Sequence, residues 1–375
     1  FLFEMLALLR KNESAIARML VTEMGKSIPD AIAELKRVFE NVEVACGMPV
    51  LQQGDKLMGS SYDIDGEVIR LPMGVFGIIT PYNFPAMVPF WFLPYAIATG
   101  NTVVMKVSEQ APCTMQLITE YIDQIGLPPG VFNLVNGDKE VANAITDHPL
   151  VQGVSFVGST HVCKQIAERC ARNNKRFQAM GSAKNHLVVM PDARISEVIR
   201  NMISSCYGCA GQRCMAASAI VCVGDATYQT ICDEFIAASQ KVVTANPLDP
   251  SVADVPVVMG PVISAKAKQF ILNMIAAGIE EGATLALDGR GLEIPGHAKG
   301  HFVGPTVFTN VKPGMKIHTT EIFGPVVVIL KADTLDEAIQ IINDHPYGNG
   351  ASIYTQNGYW ARKFKLETKA GMIGI

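Results

Sequence analysis

Apolar and polar positions change period several times along this chain, and each change predicts a different element. Over residues 2–24 and 30–46 the apolar positions recur every three to four residues, which predicts two opening amphipathic helices. The polar section SSYDIDGEVIRLP then breaks that period and predicts a hairpin over about residues 59–72. VFGIIT follows as a compact buried strand, and the strand-like runs TVVMK, VFNLV and VSFVG are each followed by a helical segment. That alternation is the sequence form of right-handed βαβ units on a parallel sheet. A second series begins near residue 184 with HLVVM and SAIVCV, helices at about 226–241, 264–281 and 334–343, and the runs VVVILK, SIYT and MIGI. The Gly/Pro-rich section DGRGLEIPGHAKGHFVGPTV between its halves reads as a loop. The fold class is therefore α/β: a doubly wound, Rossmann-type first domain over residues 1–182 and an α/β second domain over residues 183–375.

Composition adds limits to this picture. A chain of 375 residues fits two domains, and 49% hydrophobic against 18% charged residues describes a large buried core. A net charge of −4 with scattered Lys and Arg lacks the basic stripe of a nucleic-acid binder. The longest apolar run, FPAMVPFWFLPYAIA, is shorter than a membrane span and carries three prolines, so it reads as a proline-started core helix. No signal sequence is visible, and nine cysteines without a dense framework fit reduced thiols. These features imply a soluble protein with no membrane partner, cytoplasmic or, in a eukaryote, in the mitochondrial matrix. Both ends read as cut within an element, so the chain is expected to be truncated.

Three cysteines crowd into CYGCAGQRCMAAS. Cys206 and Cys209 form C-x-x-C, but no second ligand pair stands at zinc spacing, so no metal site is expected from them. Both read as small buried hydrophobes. Cys214 differs: it follows a small turn, Ala210-Gly211-Gln212, and a guanidinium at Arg213. A neighbouring cation favours the nucleophilic thiolate.

Other motifs fall at the ends of expected strands, where doubly wound sheets place ligands. These are TPYNFP (80–85), KVSEQAP (106–112), FVGST (156–160) and EIFGP (321–325). In order with GQRC, they resemble the aldehyde dehydrogenase superfamily over nearly the whole chain. ELKRVFENVEVA, KVSEQAPCT, AKNHLVVMPDA, GQRCMA, FVGPT and EIFGPV are most similar to its CoA-acylating methylmalonate-semialdehyde (malonate-semialdehyde) dehydrogenases.

The resemblance implies that Cys214 attacks an aldehyde carbon and that Asn83, an uncharged donor, shares an oxyanion hole with the Cys214 backbone N–H. It implies NAD as hydride acceptor. No G-x-G-x-x-G is present. Gly158 and Ser159 at a helix start would take the pyrophosphate, and Gly181 is implied as a further cofactor-binding residue. Lys106 and Glu109 would take the adenosine ribose, with Thr80, Tyr82 and Gln110 lining the groove. A carboxylate at Glu109 repels a 2′-phosphate and so favours NAD over NADP. Glu321 would take the nicotinamide ribose and Phe323 would pack on the nicotinamide ring. The family's next glycine is replaced here by Cys163. Arg37 and Arg213 would hold the substrate carboxylate by the bidentate geometry that guanidinium allows.

Hydrolytic members carry a glutamate that activates water, and Met180 stands in its place. Methionine accepts no proton, so coenzyme A is expected as the acyl acceptor. The rival readings are a hydrolytic aldehyde dehydrogenase, an inactive truncated homologue and a zinc-binding module. Resemblance also implies a homo-oligomer, a dimer of dimers, built partly through the hairpin at 59–72.

Overall fold

Strands form where apolar, β-branched runs can be covered on both faces, and this accounts for both large sheets of the computed structural model, which describes residues 1–375. The chain divides into two compact units, Phe1–Glu23 with Ala31–Gly181, and Met24–Asp30 with Ser182–Ile375.

In the first unit, β1 (Lys56–Ser61) and β2 (Ile64–Glu67) make an antiparallel hairpin whose turn residue Asp63 takes a left-handed φ of 57°. The remaining strands are β3 (Val75–Ile79), β4 (Thr102–Lys106), β5 (Phe132–Leu134), β6 (Val151–Val157) and β7 (Arg176–Met180). They form one all-parallel sheet in the order β5-β4-β3-β6-β7. That order reverses between β3 and β6, which makes their carboxyl ends a topological switch point. The expected helix at 84–98 is instead two short ones, Met87–Phe90 and Leu93–Ala98. Pro94 sits in the first turn of the second, where its missing N–H is harmless, and the chain breaks just before it. The expected helix at 2–24 likewise breaks at Asn12, between Leu2–Lys11 and Glu13–Met24, and Asn12 Nδ2 donates back to the Leu8 carbonyl at 2.8 Å.

The second unit holds β8 (His186–Val189), β9 (Ala219–Val223), β10 (Thr284–Leu287), β11 (Thr306–Thr309), β12 (Val326–Ala332), β13 (Gly350–Tyr354) and β14 (Met372–Gly374). Their order is β10-β11-β12-β9-β8-β13-β14, parallel except for β10 against β11. β8, β9 and β12 are nearly continuous Val, Ile, Leu and Ala, as burial on both faces requires. The section expected to be a loop ends in β11, which pairs back on β10. No helix is long and apolar enough to cross a membrane.

Candidate active site

The carboxyl edge of the first unit's sheet collects most of the residues expected to bind a dinucleotide. Thr80 follows β3, is 4% exposed, and its buried hydroxyl has no hydrogen-bond partner. Its N–H donates to the Lys106 carbonyl at 3.1 Å. Tyr82 is half-buried beyond it and Asn83 is buried. Lys106 ends β4, itself buried, and donates to the exposed Glu109 at 2.8 Å. Partial burial works to raise the Glu109 carboxyl, but the Lys106 hydrogen bond, a backbone hydrogen bond and the Lys106 charge together outweigh it and hold the group below its ordinary value. Gln110 is exposed, its N–H turned to Ser108 Oγ at 3.2 Å.

After β6, Ser159 caps the helix Thr160–Arg172 without a side-chain cap bond, so the first-turn N–H groups keep their capacity for an anion. A Cβ at Gly158 would stand 2.5 Å from the Phe156 ring, and one at Gly181 would stand 2.9 Å from Thr160 Oγ1. Gly158 thus leaves room for the Phe156 ring, and Gly181 lets its strand end pass close to the helix start at Thr160. An uncapped helix terminus, an orphaned buried hydroxyl and an exposed carboxylate together suit a dinucleotide's pyrophosphate and ribose. Cys163, on the next turn, packs against the small core around Val154 and Phe156. Met180 ends β7, half-buried. Arg37 is exposed on the helix Ile28–Cys46 and ion-paired with Glu40 at 2.5 Å.

The second unit builds the thiol site. The helix Ile195–Tyr207 stops abruptly because Cys209, Ala210 and Gly211 all take left-handed φ values of 52°, 54° and 73°. For two residues with side chains this stores about 1–2 kcal/mol each. A carboxylate holds the turn: Asp30 accepts from the Cys209 N–H at 3.2 Å and from Arg213 at 2.7 Å. Gly211 packs so closely that a Cβ would meet the Gly324 carbonyl oxygen at 2.2 Å. Gln212, fully buried, accepts from Ile263 N–H at 2.9 Å and donates to the Cys209 carbonyl at 3.1 Å. Beyond the turn, the Cys214 carbonyl accepts from two amides, Asn185 at 2.8 Å and Asn349 at 3.1 Å.

Cys214 lines a narrow cleft, partly open to solvent, together with Arg213, Glu321 and Phe323. Three of the expected residues thus share one wall with the thiol. Phe323 itself takes a left-handed φ of 55°, a second strained position in this wall.

Sequence adjacency predicts that Arg213 favours a thiolate at Cys214, and here the structure differs. The guanidinium turns back over Gly208 and is taken up by Asp30, by Cys209 Sγ at 3.4 Å and by the Ser204 carbonyl at 3.3 Å. Burial pushes the Cys214 thiol up, as does the Glu321 carboxylate, while the backbone N–H groups of Cys214 and Met215 pull it down. Glu321 is itself raised by burial although Ala183 N–H donates to it at 3.0 Å. Burial pulls the neighbouring Lys184 ammonium down to about 7, against the pull of Glu321.

Cys206 and Cys209 are buried as expected: Cys206 Sγ donates to the Ala217 carbonyl at 2.8 Å from the helix end, and Cys209 lies in the left-handed turn. Asp30, Asn185, Gln212 and Asn349 carry no sequence signal of their own, since each acts on a turn whose handedness no local spacing reveals.

The family profile of the aldehyde dehydrogenase family matches residues 1–375, and this chain belongs to that family. Within it, the chain is 42% identical over 368 residues to the Bos taurus mitochondrial methylmalonate-semialdehyde/malonate-semialdehyde dehydrogenase [acylating], covering 98% of this chain and 67% of that protein. The crystal structure of methylmalonate-semialdehyde dehydrogenase from Oceanimonas doudoroffii superposes with a TM-score of 0.96 at 40% identity, covering 100% of this chain and 76% of the other. Betaine aldehyde dehydrogenase from Staphylococcus aureus, solved in complex with NAD+, superposes at 0.95 with 28% identity, covering 100% and 73%.

Proposed function

We propose that this chain oxidises malonate or methylmalonate semialdehyde with NAD and passes the acyl group to coenzyme A, giving acetyl-CoA or propionyl-CoA. The observation that carries the reading is a part-buried thiol, Cys214, set on a strained and anchored turn in a cleft beside Glu321 and Phe323. The names of the relatives supply the substrate class.

In this reading Cys214 attacks the aldehyde carbon as thiolate, and its backbone N–H with the Asn83 amide donates to the oxyanion that forms. NAD, held by Thr80, Tyr82, Lys106, Glu109, Gln110, Gly158, Ser159, Gly181, Glu321 and Phe323, supplies the hydride acceptor. Loss of hydride from the thiohemiacetal carbon leaves a thioester on Cys214. The β-carboxylate departs as CO2, a proton from water takes its place on the α-carbon, and the CoA thiol, losing its proton to solvent, then displaces Cys214, which leaves as thiolate. Met180, in place of a carboxylate, leaves water without a general base, worth about 10²–10⁴ in rate. Arg213 holds the substrate carboxylate, because only three of its five N–H donors are taken within the chain and it lines the cleft. Arg37 is a second carboxylate ligand only if its bond to Glu40 opens. The first unit serves as NAD domain and its β1–β2 hairpin as an oligomer contact.

The test is NADH formation from malonate semialdehyde with and without CoA, with products identified by mass spectrometry. The reading requires CoA-dependent turnover and acetyl-CoA. Free acid formed at full rate without CoA contradicts it, and no NADH under either condition makes the chain an inactive homologue.

A further inference from the structure

Three histidines from distant parts of the second unit meet outside the cleft. His186 opens β8, His318 lies in the short helix Lys316–Thr319, and His345 follows the helix Leu335–Asn343. One donor atom from each lies within 4.8 Å of the others. The ring centroids form a nearly equilateral triangle with sides of 5.1, 5.0 and 5.0 Å, and Nε2 of His186 stands 2.9 Å from Nε2 of His318. His186 and His318 are each 2% exposed. Hydrogen bonding leaves the trio incomplete. Nε2 of His345 is 3.1 Å from the His318 carbonyl, its Nδ1 accepts from Tyr347 N–H at 3.1 Å, and the buried Nδ1 of His318 has no partner.

We propose that His186, His318 and His345 form a binding site for one divalent d-block cation of the zinc type, with a fourth position for water. With metal–nitrogen bonds of ~2.0–2.1 Å, tetrahedral angles place imidazole centroids about 5.2 Å apart and ligating nitrogens about 3.4 Å apart. The centroid triangle already has that size; the closest nitrogen pair opens from 2.9 Å and the wider ones, all within 4.8 Å, close toward that spacing as the ion binds. Three imidazole nitrogens select against Ca²⁺ and Mg²⁺, which take oxygen. A backbone hydrogen bond at Lys184 supports the His186 ring, as a carbonyl commonly does for a ligating histidine.

Two features oppose the ion. His345 gives up its carbonyl contact when Nε2 ligates, its ring proton passing to Nδ1 at the expense of the bond from Tyr347 N–H, and buried Lys184 lies within electrostatic range of all three rings. Glu321, within range of Lys184, offsets part of that charge. Each ligand is also close in sequence to a residue of the thiol site: His186 follows Asn185, His318 precedes Glu321 by three, and His345 precedes Asn349 by four. The cation ties these three segments together.

The test uses the full chain, stripped by chelator and alkylated with iodoacetamide so that accessible thiols do not compete, and titrated with Co²⁺ alone and then Zn²⁺. The expected result is one Co²⁺ per chain with four-coordinate visible absorption, no sulfur-to-cobalt charge-transfer band, displacement by Zn²⁺, and a raised melting temperature. His345→Asn, at the half-buried ring, should weaken Co²⁺ binding by at least ~10²-fold while the metal-free variant keeps the wild-type circular dichroism. His318→Asn should do the same. As a readout needing no variant, Zn²⁺ should protect His345 from diethylpyrocarbonate. Absence of stoichiometric uptake, a thiolate charge-transfer band, or wild-type affinity in both variants would overturn the proposal.

Discussion

Replacing Asp30 by Ala removes the anchor of the turn that presents Cys214, and the structure sets the size of the effect. The carboxylate accepts from Arg213 at 2.7 Å and from the Cys209 N–H at 3.2 Å, with Cys209 Sγ at 3.6 Å. Both ion-pair partners are mostly buried, with side chains 23% and 21% exposed. Hydrogen bonds to charged groups are each worth about 1.5–3 kcal/mol, and stranding a buried partner adds desolvation, so a loss of about 2–4 kcal/mol in stability is expected. That is comparable to the strain held at Cys209 and Ala210, about 2–4 kcal/mol together. Without Asp30 the left-handed turn loses its advantage over relaxed alternatives, and kcat should fall at least ~10-fold. Asp30→Asn keeps an acceptor for the Cys209 N–H and should fall between wild type and Asp30→Ala. Urea unfolding, with kcat and the rate of Cys214 alkylation measured on each variant, tests this. Wild-type stability and kcat in Asp30→Ala would refute the anchoring argument.

Three further outcomes follow from particular contacts. Because burial and Glu321 raise the Cys214 thiol, its alkylation by iodoacetamide, followed by peptide mass spectrometry, should accelerate ~10-fold per pH unit from pH 7 to 9; a plateau below pH 8 contradicts the direction of that shift. Gly211→Ala adds a Cβ at a φ of 73° and 2.2 Å from the Gly324 oxygen, so it should lower stability by at least ~2 kcal/mol, read by urea midpoint, and cut kcat with it. The Ser251 backbone N–H and His297 hold the Asp249 carboxyl down at about 2, below its value in the unfolded chain. Its contribution to stability is therefore complete above about pH 4 and lost as pH falls toward 2, so Asp249→Asn should differ from wild type in melting temperature at pH 6 and converge with it near pH 2.

What the sequence makes legible here is whatever local periodicity controls. VFGIIT, TVVMK and VSFVG read as buried parallel strands because both faces must be covered, and ligand-binding motifs at their carboxyl ends follow from that arrangement. β10 and β11 escape because the Gly/Pro-rich section between them masks two short strands that only mutual pairing defines. The left-handed turn at 209–211 reads locally as flexible small residues, yet its anchor comes from Asp30, 179 positions away. The direction of Arg213 is decided by the same distant carboxylate, so adjacency to Cys214 misleads. His186, His318 and His345 lie 132 and 27 residues apart, with no ligand spacing to notice.

The most direct measurement of the central claim is the intact mass of the protein after one turnover with malonate semialdehyde and NAD in the absence of CoA. A stoichiometric burst of NADH should accompany an acetyl adduct that maps to Cys214, and adding CoA should discharge it as acetyl-CoA. A full burst with no adduct, or an adduct on another residue that CoA leaves in place, would contradict it.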